Sequence, residues 1–311
     1  MRILKILLAL FVVAAPAAAL GAVSAGDLPD ESTWYFHVDF AEMRGSEAGR
    51  SIYNWLETEV FEEILDETGV DLGKEADQVT AFSDGNDGFI MVLEGRISDK
   101  TRDKALAVAA TAERFETFEH RGRTFYRVVG DGDDIDVDDG NIEIDGFDDE
   151  AFFSFAIKNK LLVASSRAQM EELLGNKGRI AGGKSHDGAL FVLTAEKSLI
   201  QAGLDTGGFD TDEDDGFQSN IMRNTKQVAL MIADVAGNVA IEAQLVAEEA
   251  EKAEALGSIV RGLIALQAFS DDMDPDVAQF LRNLKVDVQD RLLKVSVAIS
   301  PALVTATLED A

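Results

Sequence analysis

Hydrophobic and polar positions alternate in short runs through most of the chain. Thr33 to Phe40 (Thr-Trp-Tyr-Phe-His-Val-Asp-Phe) reads as a strand, and so does Ala189 to Thr194. Behind the first strand, Ala48, Ile52, Leu56, Val60 and Ile64 recur every four residues. Trp55, Phe61 and Leu65 widen that stripe, which predicts a core-facing helix. Gln78-Val79 opens a second strand that runs to Asp84-Gly85-Asn86-Asp87-Gly88, and Phe89 to Leu93 returns from the turn. Gln227-Val228 opens a comparable strand that runs to Ala236-Gly237-Asn238, where Gly and Asn are expected to supply positive φ, and Val239 to Ile241 returns. A helix is predicted after each pair, near Lys100–Arg114 and within Glu248–Phe269. The face of the second is read as Leu256, Ile259, Val260, Leu263 and Ile264.

Both halves close on a hairpin and a helix. Phe153 to Ile157 turns at Lys158-Asn159-Lys160 into Leu161 to Ala164; Leu284 to Val288 turns at Gln289-Asp290-Arg291 into Leu292 to Val297. Ser166 and Gln169 have capping-box spacing, Gly175 suits a helix stop, and Ser300-Pro301 suits a helix start. The shared order is β-α-β-β-α-β-β-α. The predicted fold class is therefore α+β, with two similar units and antiparallel or mixed sheets. The first unit spans 26–175, a turn-rich linker 176–187, and the second unit 188–311. Phe115–Phe118 and Thr124–Val129 add a strand pair around Arg121-Gly122-Arg123 in the first unit.

Residues 1–25 read as a signal peptide. Arg2 and Lys5 precede the apolar stretch Ile6–Ala15, Pro16 breaks it, and Val23-Ser24-Ala25 supplies small residues for cleavage after Ala25. An uncleaved anchor is the alternative. No later segment is apolar enough to span a membrane, so no integral membrane segment is expected after cleavage. The expected location is periplasmic or secreted.

Signal segment, strand–helix–hairpin units and the Gly-x-x-Phe-Tyr strand at Gly122–Tyr126 together resemble uncharacterised secreted or periplasmic bacterial proteins built from duplicated α+β repeats. The resemblance is one of layout. It implies an exported home and brings no catalytic residue.

Charge and composition narrow the chemistry. Lys and Arg total 28 against 58 Asp and Glu, a formal charge of −30, and cysteine is absent. Cysteine nucleophiles, disulfides and Cys-ligated metals are excluded. Nucleic acid is not expected as a partner, because phosphate recognition needs clustered basic residues. His37, His120 and His186 show no metal-ligand spacing, and no Gly-x-Ser-x-Gly elbow occurs. Gly178-x-x-x-x-Gly183-Lys184-Ser185 matches a phosphate-loop string. It follows a capped helix and precedes a strand, the reverse of the required context, and reads as a linker.

The acidic insertion 130–150 holds eleven Asp or Glu residues and no Lys or Arg, and 205–215 holds six more acids. Ile135, Val137, Ile142 and Ile144 alternate around Asp138-Asp139-Gly140-Asn141, as in a small hairpin. Asp136, Asp138, Asp139 and Asp145 are the candidate calcium ligands. The EF-hand template fails: with its glycine on Gly146, position twelve is Phe152. A solvated acidic excursion is the plainer reading, and no other cofactor is indicated. The expected function is a non-catalytic exported binding or envelope-associated protein of unknown ligand. A periplasmic carrier or chaperone for an apolar ligand or client, and a calcium-binding protein, are the alternatives.

Overall fold

The computed structural model describes residues 32–68, 70–83, 88–129, 150–180, 188–197, 225–267 and 280–309. The fold is α+β, with antiparallel strands throughout the described pairings. Described residues 32–44 and 52–180 form one compact unit; 45–51 and 188–309 form another.

From β1 (Trp34–Asp39) of the first unit the chain passes through α1 (Phe40–Gly45) and α2 (Glu47–Leu56), of which residues 45–51 belong to the second unit, and then through a π-helical turn (Glu57–Phe61), α3 (Glu62–Thr68) and α4 (Leu72–Glu75). The hairpin β2 (Ala76–Ser83) and β3 (Phe89–Gly95) follows, then α5 (Asp99–Ala109), β4 (Arg114–His120), β5 (Arg123–Val129), β6 (Glu150–Ser154), β7 (Lys160–Ala164) and α6 (Arg167–Gly175). The strands lie in the order β1-β2-β3-β7-β6-β5-β4. The second unit holds β8 (Ala189–Glu196), β9 (Thr225–Val235), β10 (Asn238–Ala247), α7 (Ala250–Gln267), β11 (Lys285–Gln289), β12 (Leu292–Ile299) and α8 (Pro301–Glu309). Its order is β8-β9-β10-β12-β11. That order repeats β1-β2-β3-β7-β6 step for step, and the first unit adds β5 and β4 beyond β6.

The capping box at Ser166 and Gln169 starts α6, whose Met170, Leu173 and Leu174 pack on Val92, Phe125, Phe152 and Leu162. Arg167 lies over the Phe118 ring at 4.8 Å. Arg127 of β5 ties the neighbouring strands together, with two bonds to Glu150 at 2.7 and 3.0 Å and one to Glu116 at 2.9 Å. Glu150 thus belongs to β6, opposite Val129, and is not part of the acidic excursion. In the second unit Asp234 accepts the Ala48 and Gly237 amides at 3.0 and 2.8 Å, fixing the start of α2 and the β9–β10 turn.

Four local expectations are corrected. The stripe behind β1 does not stay in phase. Ala48, Tyr53 and Phe61 are buried, Ile52, Leu56, Val60 and Ile64 are half-buried, and Leu65 is exposed, with a π turn at Glu57–Phe61 within the helical stretch. At the β9–β10 turn the positive φ values fall on Ala236 (54°) and Gly237 (78°), and Asn238 already starts β10. The helix expected to reach Arg114 stops at Ala109, since Arg114 pairs with Val129 in the sheet. The buried positions of α7 are Ala253, Leu256 and Gly257, whereas Ile259 and Leu263 are 41% and 44% exposed. Gly257 explains the rotation. A Cβ there would come within 2.5 Å of Val288 Cγ2, so the helix approaches β11 and β12 on its small-residue side.

Candidate functional site

The β9–β10 turn and the β10–β12 pairing place two polar residues in the middle of the second unit. Glu242 lies opposite Ser296 on β12 and Met231 on β9; Gln244 lies opposite Lys294 and Ala229. Side chains alternate across a strand, so all six share one face. Val192 and Thr194 continue the same rows on β8. The opposite face carries Ile241, Leu293 and Val297, all buried.

Glu242 is 1% exposed, and Gln244, Ser296 and Thr194 are also buried. Glu242 Oε1 accepts from Lys294 Nζ at 2.9 Å and from Gln244 Nε2 at 2.7 Å. Glu242 Oε2 is buried and has no hydrogen-bond partner among the described residues. The side chain of Lys294 is 20% exposed, making it the accessible member of the trio. A buried ion pair is weak evidence for stability, because apolar replacement is often neutral or favourable. An unmet buried acceptor adds a penalty of about 1–3 kcal/mol.

The first unit carries apolar residues at the same steps. Counted from the paired leucines Leu161-Leu162 and Leu292-Leu293, Lys294 falls where Val163 stands. Their cross-strand partners are Gln244 and Met91. Two residues further along, Glu242 and Ser296 correspond to Phe89 and Ser165, which are joined by hydrogen bonds of 2.9 and 3.0 Å. The sheet layout is thus compatible with apolar side chains at all three positions. Sequence reasoning missed this trio by ending the return strand at Ile241. The available signal was a lone acid and a lone lysine, each inside an otherwise uncharged strand.

A second feature lies on the first unit. Phe125 and Phe152 face α6, and the alternate residues of β4, β5 and β6 face the other way. There Phe115 stacks on Tyr126 at 5.4 Å, Tyr126 meets Phe153 at 5.2 Å, and Phe153 meets Phe155 at 6.0 Å. All four rings are half-buried.

The remaining candidates are placed as follows. Asp136, Asp138, Asp139 and Asp145, His186, and Gly183, Lys184 and Ser185 of the phosphate-loop string lie outside the described residues. Gly178, the first residue of that string, follows α6 and donates its N–H to Leu173 O at 2.7 Å. His37 is buried on β1, with Nδ1 2.9 Å from Thr80 Oγ1. His120 Nδ1 lies 3.5 Å from Glu171. Glu171 is held below the usual carboxylate range, first by its hydrogen bond from Arg167. Among the described residues, no group of three or more His, Asp or Glu could hold a metal ion, and no helix is long and apolar enough to cross a membrane.

No family model and no curated protein matches the chain. Among solved structures it is similar to a protein named TP0453. Crystal form III of that protein matches with a TM-score of 0.43 and 10% identity over 94% of this chain and 100% of that chain. Form IV matches with a TM-score of 0.47 and 9% identity over 90% and 96%. No residue role is carried across from these matches.

Proposed function

We propose that this chain is an exported, non-catalytic binding protein of the bacterial envelope, descended from a tandem duplication of one α+β unit. The common strand order of the two units supports the duplication. The expected signal segment supports export, and mass spectrometry of protein from the native host should find a mature N-terminus near Gly26; a retained full-length chain would contradict export. The observation that carries binding is the buried Glu242 with one oxygen open, on a face where the first unit is apolar. Protein purified without denaturation from its host should release a small molecule on unfolding, and the Glu242→Gln protein should release none. An empty wild-type protein, or equal release from both, would defeat the binding role of this site.

The aromatic row favours a second reading, a carrier or chaperone for an apolar ligand or client. Stacked rings offer large apolar area with few torsions to freeze. Tyr126→Ser with Phe153→Ser should then abolish saturable binding of a fluorescent fatty acid. Unchanged binding would leave the row as packing alone.

A further inference from the structure

We propose that Glu242, Gln244 and Lys294 hold a small neutral molecule by a hydroxyl or amide N–H donated to Glu242 Oε2. This rests on the binding reading and adds the chemistry of the ligand. Oε1 is already engaged by Lys294 Nζ and Gln244 Nε2. Oε2 is buried without a partner among the described residues, and a carboxylate oxygen offers two acceptor positions. The site therefore lacks a donor.

The charge balance selects the kind of donor. Lys294 neutralises Glu242 at 2.9 Å, so a cationic ligand would leave a net positive charge in a buried setting. An anion would meet the Glu242 carboxylate itself. A neutral donor adds a hydrogen bond to an ionic acceptor without adding charge. Met231 and Val192, in register on the same face, are apolar and provide no donor. Ser296 lies directly opposite Glu242, yet its hydroxyl does not donate to Oε2. Lys294 is the partly exposed member of the trio, while Glu242 is closed to solvent.

The experiment uses the intact protein with ¹³C-carboxyl-labelled glutamate, the Glu242 resonance being assigned by its loss in Glu242→Gln. Glycerol, acetamide and ammonium chloride are titrated separately at constant ionic strength. Glycerol or acetamide should move the Glu242 resonance saturably, and ammonium should not. In thermal melts, the saturable component of stabilisation should weaken about tenfold or more in Glu242→Gln, as expected for one lost charge-assisted hydrogen bond. Glu94→Gln, which alters the cross-strand pair with Lys160, should leave it intact. Should Glu242→Gln fail to fold, Glu242→Asp, which withdraws the carboxylate by one methylene, should weaken the saturable component likewise, and an unchanged response in that variant would overturn the site. Saturation by ammonium in place of the neutral probes would overturn the ligand class and leave the binding reading standing. No saturation by any probe, with a crystal structure showing Oε2 bonded to a water that no probe displaces, would overturn both.

Discussion

Thr80 shows how much one strand position can decide. It lies opposite His37, and its hydroxyl also meets Tyr35, which shares the His37 face of β1 because side chains alternate along a strand. Burial pushes the Tyr35 hydroxyl up to about 12, with the Thr80 bond opposing the shift. In the unfolded chain a tyrosine ionises near pH 10. Between about pH 10 and 12 the unfolded state therefore binds fewer protons, and stability falls as pH rises through that window. The stability at stake is on the order of 2 kcal/mol. Tyr35→Phe should flatten urea-unfolding stability between pH 10 and 12 relative to wild type, and equal slopes would remove Tyr35 as the cause. Alternation also made the facing of His37 legible in the sequence: it points away from Phe36 and Val38. The Glu242–Lys294 pair was not legible in that way. Its two members lie 52 positions apart in sequence, and only the β10–β12 register brings them together.

Element type was more legible than element facing. The strand runs, the closing hairpins and the capping box at Ser166 were readable because turn and cap chemistry is local. Facing depends on what arrives from elsewhere. Periodicity in α7 names an apolar side but not the side on which β11 and β12 press. That choice follows from Gly257, which lets the helix come close to Val288 and Leu293. Gly257→Val should overpack this contact and lower urea-unfolding stability by about 1–3 kcal/mol. No loss would mean that the helix can shift outward freely. The stretch between β5 and β6 is a second case. Val129 and Glu150 pair directly, so the two ends to be bridged are already neighbours. Replacing residues 131–149 by a four-residue Gly-Ser linker should leave the melting temperature unchanged or raise stability by about 1 kcal/mol, since a shorter loop is easier to close. A clear drop would show that the replaced residues contribute to the core.

For the whole molecule, charge is the dominant unsatisfied term. The chain carries −30, and removal of Arg2 and Lys5 with a signal peptide would take it to −32. Self-repulsion of that size disfavours the compact state. Raising ionic strength from about 0.01 M to 0.15 M shortens the Debye length from about 30 Å to about 8 Å. Repulsion between distant carboxylates should fade, and the melting temperature should rise with any monovalent salt. A calcium site at Asp136, Asp138, Asp139 and Asp145 would act differently. It would saturate, and would stabilise by about 2.7 kcal/mol at a hundredfold excess over its dissociation constant. Sodium, magnesium and calcium should therefore be compared in melts at one fixed ionic strength. General screening gives equal melting curves for the three cations at that ionic strength, with no saturable excess for calcium over magnesium. A calcium-only increment, abolished by changing Asp136, Asp138 and Asp139 to Asn, would assign the acidic stretch to ion binding. Hard oxygen ligands would then be neutralising local charge directly, beyond what mobile salt achieves at a distance.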